Sequence, residues 1–198
     1  INKYKKHLII EKPTFLKTSH ANLIYKMAKK YNLSIFPIFQ NRFNKAVKFV
    51  KKDLISDDRS NIKAISVRVR WNRPQRYYDM DPWRGTFSLD GGCLSNQGIH
   101  HLDLLRYLFG DVKKVFFKLD TLGSDIEVED TAMGIIEFNN GIIGNLEITT
   151  AARPKDFEAS ISILTKDNFA EIGGIAVNEI KEYTKNPKII KKHSEDFS

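Results

Sequence analysis

Asp90-Gly-Gly-Cys-Leu-Ser-Asn-Gln-Gly-Ile-His-His-Leu-Asp-Leu-Leu-Arg-Tyr-Leu-Phe-Gly110 is the stretch from which the rest of the chain can be read. Two glycines lead into it, and Ser95 or Asn96 has a side-chain oxygen able to accept from an orphan backbone N–H, as helix N-caps do. The pattern predicts about fifteen residues of helix closed by Gly110, because glycine readily takes the conformation that ends helices. Leu102, Leu104, Leu105, Leu108 and Phe109 cover so much of the circumference that the C-terminal half is expected to be buried. The polar residues crowd the first turns. Asn96 and His100 are four apart and share a face, as do Gln97 and His101, and Asp103 follows His100 by three. A buried helix with such an end offers amides, the positive end of a dipole and a titratable imidazole to whatever lies above it.

Around this helix the pattern is that of a sheet. Ile65, Val67, Val69 and Trp71 alternate with Ser66, Arg68 and Arg70, which predicts a strand buried on one face only. After the helix, strands are expected over Val112–Leu122, Val128–Phe138, Gly141–Thr150, Phe157–Leu164 and Phe169–Ile172. Asn139-Asn140-Gly141 marks a hairpin, since Asn and Gly tolerate positive φ, and Lys166-Asp167-Asn168 turns the next pair. These segments make one large antiparallel sheet with the helix packed on a face.

Upstream the order is strand, helix, strand, helix. Leu8-Ile9-Ile10 is a short apolar run broken by Glu11-Lys12-Pro13, which places Glu11 and Lys12 at a strand's carboxyl edge. Ligands bind at that edge in open α/β sheets. A helix capped by Thr18 or Ser19 follows, with Leu23, Ile24, Met27, Ala28 and Tyr31 facing inward. Leu33 to Phe39 is the second strand, although Pro37 counts against a central position, and it ends in Gln40-Asn41-Arg42. A short helix then turns Val47, Val50 and Leu54 inward and Lys48, Lys51 and Lys52 outward. The fold class is therefore α/β (α+β): the end of a Rossmann-like parallel unit, residues 1–42, followed by a large, mainly antiparallel sheet domain over 43–198. The chain opens at Ile1 rather than Met and closes in charged residues without a terminating element, so it reads as a piece of something longer.

At 198 residues and 41% hydrophobic content there is material for one core, or one core and part of another. No segment approaches the roughly 18 uninterrupted apolar residues of a membrane span, and no secretory signal pattern is visible. A single cysteine, Cys93, excludes an internal disulfide and fits a reducing compartment, so the expectation is a cytoplasmic protein away from membranes. The net charge of +8 invites a nucleic-acid partner, but the lysines fall in scattered pairs, as on a solvated surface, so no nucleic acid is expected.

Three features can carry chemistry. Lys12, followed by proline at a sheet edge, can have its pKa lowered by burial and move protons. His100, in the first turns of a buried helix with Asp103 available behind it, suits general acid/base work. The third is Arg68, Arg70, Arg73, Arg76 and Arg84, interleaved with Trp71, Tyr77, Tyr78 and Trp83. Arg68 and Arg70 are expected to line a solvated strand face, whereas Arg73, Arg76 and Arg84 lie in a loop suited to binding an anion. No metal site is expected, because adjacent helical histidines point about 100° apart and no second cysteine or His-x-x-x-His is present. Cys93 reads as a small buried residue.

Taken together, Glu11-Lys12-Pro13, Gln40-Asn41-Arg42-Phe43-Asn44 and Gly91-Gly92-x-Leu94-x-Asn96-x-Gly98-x-His100-x-x-Asp103 resemble the glucose–fructose oxidoreductase/inositol dehydrogenase/MocA family of two-domain nicotinamide-dependent sugar dehydrogenases. Trp83-Arg84-Gly85, Leu94-Ser-Asn-Gln-Gly-Ile-His-His101, Asp120-Thr-Leu-Gly123 and Glu147-Ile-Thr-Thr-Ala-Ala-Arg153 resemble its branch that oxidises C3 of UDP-N-acetylglucosaminuronate. The resemblance implies that Lys12 and His100 flank the sugar carbon as the proton-handling pair. It implies NAD as cofactor, with NADP left open because the ribose-reading residue lies outside these residues. Glu11, Lys12, Gln40, Trp83 and Arg84 would lie near that cofactor. Asn41, Arg42, Arg73, Asn96, Gln97 and His101 would face a sugar nucleotide. The family commonly has aspartate where this chain has Asn96, which leaves Asn96 orienting substrate rather than titrating. The sheet implies a homo-oligomer, dimer or tetramer.

The departure from the family is the absence of any Gly-x-Gly-x-x-Gly from these residues. Two expectations follow. One is a part of a sugar-nucleotide dehydrogenase. The other is a truncated, catalytically inactive relative that oligomerises or binds anions.

Overall fold

The computed structural model describes residues 3–55 and 59–190. Ile1 and the charged end over 191–198, expected to lack a terminating element, lie outside the described residues. Strand β1 (Leu8–Ile10), helix α1 (Thr18–Lys30) and strand β2 (Ile35–Pro37) come first. β1 and β2 pair in parallel, Leu8 opposite Ile35 and Ile10 opposite Pro37. Because they are parallel, the segments that follow them, Glu11-Lys12 and Gln40-Asn41-Arg42, leave the sheet at the same edge.

Several details differ from expectation. α1 is not capped by Thr18 or Ser19: Lys17 is the N-cap, without a side-chain bond, and Thr18 is already helical. Its inward face is narrower than the pattern predicts, since Ala28 is buried but Leu23 is 57% exposed. The second strand covers only part of Leu33–Phe39, and Gln40–Phe43 winds into a 3-10 turn.

Helix α2 (Lys45–Asp53) buries Val47 and Val50 as expected. β3 (Ile62–Arg70) follows, then the one-turn α3 (Gln75–Tyr78), α4 (Gly92–Asn96) and α5 (Ile99–Phe109). The remainder is sheet: β4 (Val112–Asp120), β5 (Thr131–Phe138), β6 (Ile143–Thr149), β7 (Glu158–Thr165), β8 (Phe169–Gly173) and β9 (Glu179–Tyr183). The seven strands lie in the order β4-β5-β6-β3-β7-β8-β9. All neighbours are antiparallel except β3 and β6, which run parallel from Ile65 opposite Gly144 to Arg70 opposite Thr149. With that one exception the sheet is mainly antiparallel, as expected. Three helices and the β4–β5 hairpin intervene between β3 and β6, which is enough chain for a parallel return.

The core lies between the sheet's inner face and α5, with α2 against its far end. Val67, Val69, Ile148, Ile161 and Ile163 from the strands meet Leu104, Leu105, Leu108 and Phe109, all fully buried. Each such side chain contributes about 1.5–3 kcal/mol relative to exposure. The expected single helix from Ser95 or Asn96 is instead two. Gln97 and Gly98 both donate to Cys93 O, at 3.2 and 2.7 Å, which widens the last turn of α4, and α5 restarts with His101 N on Gly98 O at 2.9 Å. Gly98 is pressed against β6, where a Cβ would stand 2.8 Å from Ile148 Cδ1. The start of α4 is satisfied from across the fold rather than by a local cap: Cys93 N donates to Glu129 O at 2.9 Å and Leu94 N to Glu129 Oε1 at 3.2 Å.

Candidate active site

Lys12 leaves the carboxyl edge of β1 and reaches the end of α4. Its Nζ donates to Asn96 Oδ1 at 2.9 Å and to Asn96 O at 3.0 Å. Burial lowers the pKa of this amine. Asp90 and Glu11 oppose that shift, while Arg73 and Arg84 add to it. The Asn96 side chain is itself held, since its Nδ2 donates to Asp90 Oδ1. The other oxygen of Asp90 accepts from Gly85 N at 2.7 Å. Asp90 and Asn96 are 2% and 4% exposed.

His100 stands on the first turn of α5, buried, with no hydrogen-bond partner at Nδ1. Burial pushes its pKa down, and the charge of Lys12 pushes it further; Asp103 and Glu11 act the other way. Lys12 and His100 are thus close enough for the charge of one to be felt by the other. Asp103 does not bond to the imidazole behind it, contrary to expectation. Arg42 takes that carboxylate in a fork, with Nε 2.6 Å from Oδ2 and Nη2 on Oδ1. The guanidinium also lies over the rings of Phe39 and Tyr107, 5.6 and 5.1 Å from their centres. Arg42 is therefore engaged with Asp103, while Asn41 is buried beside it in the 3-10 turn and Gln40 is exposed.

Arg68 and Arg70 fall where expected, whereas Arg76 lies on α3 rather than in the loop. Arg68 and Arg70 stand on the sheet's outer face, Arg70 paired with Glu147 at 2.5 Å and Arg68 with Glu158 at 3.1 Å. The loop arginines surround Tyr77. Arg84 lies 4.2 Å and Arg73 5.3 Å from the centre of its ring. Asp81 holds Arg84 Nε at 2.8 Å, and the guanidinium also lies 4.9 Å from the Trp83 ring. Arg73 is anchored by Asn72 O at 2.8 Å and Asp156 at 3.2 Å. Gln97, buried, reaches Tyr77 Oη at 3.5 Å. A hollow of about 540 Å³ opens here, lined by Asn72, Arg73, Pro74, Arg76, Tyr77 and Met80.

His101 is the expected ligand-facing residue that the structure encloses completely. It is 0% exposed, edge-on to Trp71 at 5.9 Å, with neither ring nitrogen partnered, and its pKa is driven down to about 3 by burial and by His100. Cys93, buried beside Ile148 O, has its thiol pushed up by desolvation and is no nucleophile. Among the described residues, no group of three or more His, Cys, Asp or Glu side chains could hold a metal. No helix there is long and apolar enough to cross a membrane. Sequence reasoning passed over Asp90. Its signal was an acidic residue directly before Gly91-Gly92, six residues ahead of Asn96 and hence near the same helix start.

Known proteins bear on this geometry. The chain is similar to the WlbA dehydrogenase of Bordetella pertussis, solved in complex with NADH and UDP-GlcNAcA: 33% identity, TM-score 0.89, covering 96% of this chain and 56% of that one. The corresponding complex from Chromobacterium violaceum matches at 36% identity and TM-score 0.88, covering 95% of this chain and 56% of that one. Glucose-6-phosphate 3-dehydrogenase of Bacillus subtilis is 24% identical over 196 residues, 94% of this chain and 53% of that protein. The chain spans about half the length of the relatives it matches. The family model for the GFO/IDH/MocA C-terminal domain matches residues 51–171, more than half of the chain, and the chain belongs to that family of oxidoreductases.

Proposed function

We propose that this chain carries the substrate-facing part of an NAD-dependent dehydrogenase acting on a sugar nucleotide, and that its reaction oxidises the C3 hydroxyl of UDP-N-acetylglucosaminuronate. The observation that carries the proposal is the meeting of Lys12 and His100. These two titratable groups come from separate elements, and burial keeps each toward its neutral form, the imidazole further so by the charge of Lys12 and the amine by the charges of Arg73 and Arg84. Oxidising a secondary alcohol removes a hydride from carbon and a proton from oxygen. NAD, when bound, supplies the acceptor for the hydride. The proton must go to a base, and a neutral amine or imidazole at this place is suited to take it. Asn96 and Gln97 can orient the sugar hydroxyls. The loop of Arg73 and Arg84 around Tyr77 supplies charge and a stacking surface for a nucleotide diphosphate.

The residues fit the nicotinamide end of such a cofactor. His100 Nδ1 is an unpartnered buried atom on a ring that feels the charge of Lys12, and Glu11, Gln40, Trp83 and Arg84 are assigned to the same side. These 198 residues contain no Gly-x-Gly-x-x-Gly, so the groups that hold the cofactor's diphosphate are not among them. Residues 1–42 are accordingly assigned to the tail of a dinucleotide-binding domain and the rest to a substrate domain. The same outer sheet face that carries Arg68 and Arg70 exposes Met133, Ile135, Ile143 and Phe116, 51–73% accessible, and we assign it to contact between copies of the protein. The two WlbA structures, above 30% identity and holding NADH and UDP-GlcNAcA, support substrate and cofactor alike. The test is NADH formation by the longest reading frame that contains this chain, across a panel of UDP-sugars. Turnover with UDP-N-acetylglucosaminuronate, lost in His100→Ala and Lys12→Ala, is expected. NADH formation undiminished in both variants would overturn the assignment.

A further inference from the structure

The amide of Asn96 can sit in its plane either way round, and only one way presents an acceptor to Lys12. An ammonium has donors alone, so an amide turned with Nδ2 toward it would set donor against donor. The surroundings decide the matter. Asp90, buried and acceptor-only when ionised, takes the Asn96 Nδ2 on one oxygen and Gly85 N, at 2.7 Å, on the other. With Nδ2 engaged there, Oδ1 is left facing Lys12 Nζ at 2.9 Å.

We propose that Asp90 is a positioning residue for Lys12: through Asn96 it fixes the acceptor that holds the amine, and it supplies at one remove the carboxylate that Asn96 lacks. The chain of bonds runs Gly85 N to Asp90, Asp90 to Asn96, Asn96 to Lys12, and links a loop, the start of α4 and the edge of β1. The charged groups acting on Lys12 besides Asp90 are Glu11, Arg73 and Arg84, with His100 alongside. Around Asp90 stand Glu129 and Tyr78, each of which feels its charge. Asp90 is a buried negative group joined to Lys12 by hydrogen bonds through a single intervening side chain. The catalytic meaning of the inference rests on the proposed dehydrogenase function. Its test does not.

The chemistry of the pair yields a swap. In Asp90→Asn the new amide must choose. If its oxygen accepts from Gly85 N, its NH2 faces Asn96, whose amide then has to turn its own NH2 toward Lys12. In Asn96→Asp two carboxylates meet in a buried place, where only one can ionise readily. The double variant Asp90→Asn/Asn96→Asp repairs both: the amide at 90 accepts from Gly85 N and donates to the carboxylate at 96, which receives Lys12 directly.

The experiment is an NMR titration of the protein expressed from the longest reading frame that contains this chain, labelled with ¹³C-lysine, the Lys12 signal identified by its loss in Lys12→Arg. Asp90→Asn is expected to lower the Lys12 pKa below wild type with circular dichroism unchanged. The double variant is expected to raise it above wild type. Lys12 titrating in Asp90→Asn as it does in wild type, or in the double variant as it does in the single one, would overturn the proposal. If Asp90→Asn fails to fold, the double variant, which keeps every hydrogen bond, decides alone. If Lys12 responds as expected while the full-length protein forms no NADH, the relay stands and the assigned reaction falls.

Discussion

Arg42 forks Asp103, with Nε 2.6 Å from Oδ2 and Nη2 on Oδ1, and by doing so takes the one carboxylate on α5 away from His100. The Asp103 side chain is 7% exposed and that of Arg42 39%, so the carboxylate depends on the arginine more than the reverse. The hydrogen bond to Asp103 is also what raises the pKa of Arg42. Arg42→Ala leaves a nearly buried carboxylate without its partner and should cost about 1–3 kcal/mol, below the figure for a fully buried pair because one member is solvated. Arg42→Lys should recover little, since an ammonium cannot reproduce the fork. Urea unfolding measures both. The freed Asp103 should also act more strongly on the imidazole and raise the His100 pKa, which an NMR titration of the ring protons would register.

Lys12 and His100 make a prediction about rate. General acid/base groups contribute typically 10²–10⁴-fold, so His100→Ala and Lys12→Ala in the full-length protein should each lower kcat by about that factor, with KM for the sugar nucleotide changing far less. Burial is the largest cause lowering both pKa values. A base works deprotonated, so kcat/KM should rise with pH through the lowered pKa of the free enzyme and level off sooner than an ordinary lysine would allow. A pH profile that keeps climbing to the pH of an unperturbed amine would be incompatible with Lys12 as that base.

His101 makes one about stability. Its folded pKa is about 3, against about 6.5 in the unfolded chain. Between those values the unfolded chain takes up a proton that the folded chain refuses, so this residue's contribution falls as pH falls from 6.5 toward 3. The slope is about 1.4 kcal/mol for each pH unit through that window. Neither ring nitrogen has a hydrogen-bond partner. His101→Leu should therefore fold, and its urea midpoint should decline less than wild type between pH 6.5 and 4. Parallel declines would show that the imidazole is not the group responsible.

What could be read without the structure is what local pattern determines. Leu104, Leu105, Leu108 and Phe109 recur at helical spacing, and Ile65, Val67 and Val69 at strand spacing, so α5 and β3 were visible, as was the turn at Asn139-Asn140-Gly141. β9 was not, because a register shift between Glu171 and Ile172 lets Ile180 and Tyr183 both point inward though three residues apart, which spoils the period of two. The break at Gln97-Gly98 depends on Ile148 from a strand far along the chain. In the site, Lys12 and His100 were identifiable one by one. Their supports were not: Asp103 is 61 residues from Arg42, and Asn96 is 84 from Lys12. Neither partnership leaves a local signal.

Gly92 opens α4 at φ +88°, where a Cβ would fall on the carboxylate of Glu129. That carboxylate is not free to leave, since it accepts from Leu94 N at 3.2 Å and so caps the helix that carries Asn96. Gly92→Ala therefore incurs two costs, the left-handed backbone, about 1–2 kcal/mol, and the displacement of a cap, about 1 kcal/mol. Gly141 separates them, because at φ +85° it has nothing within 4 Å of the same added atom. Gly141→Ala should lose only the backbone part. Urea unfolding of the two variants should place Gly92→Ala the lower by about the value of the cap, and Gly92→Ala/Glu129→Ala should be about as stable as Gly92→Ala alone, because the cap is already given up there. Equal losses at the two glycines would mean that Glu129 moves aside at no cost and that α4 does not need it.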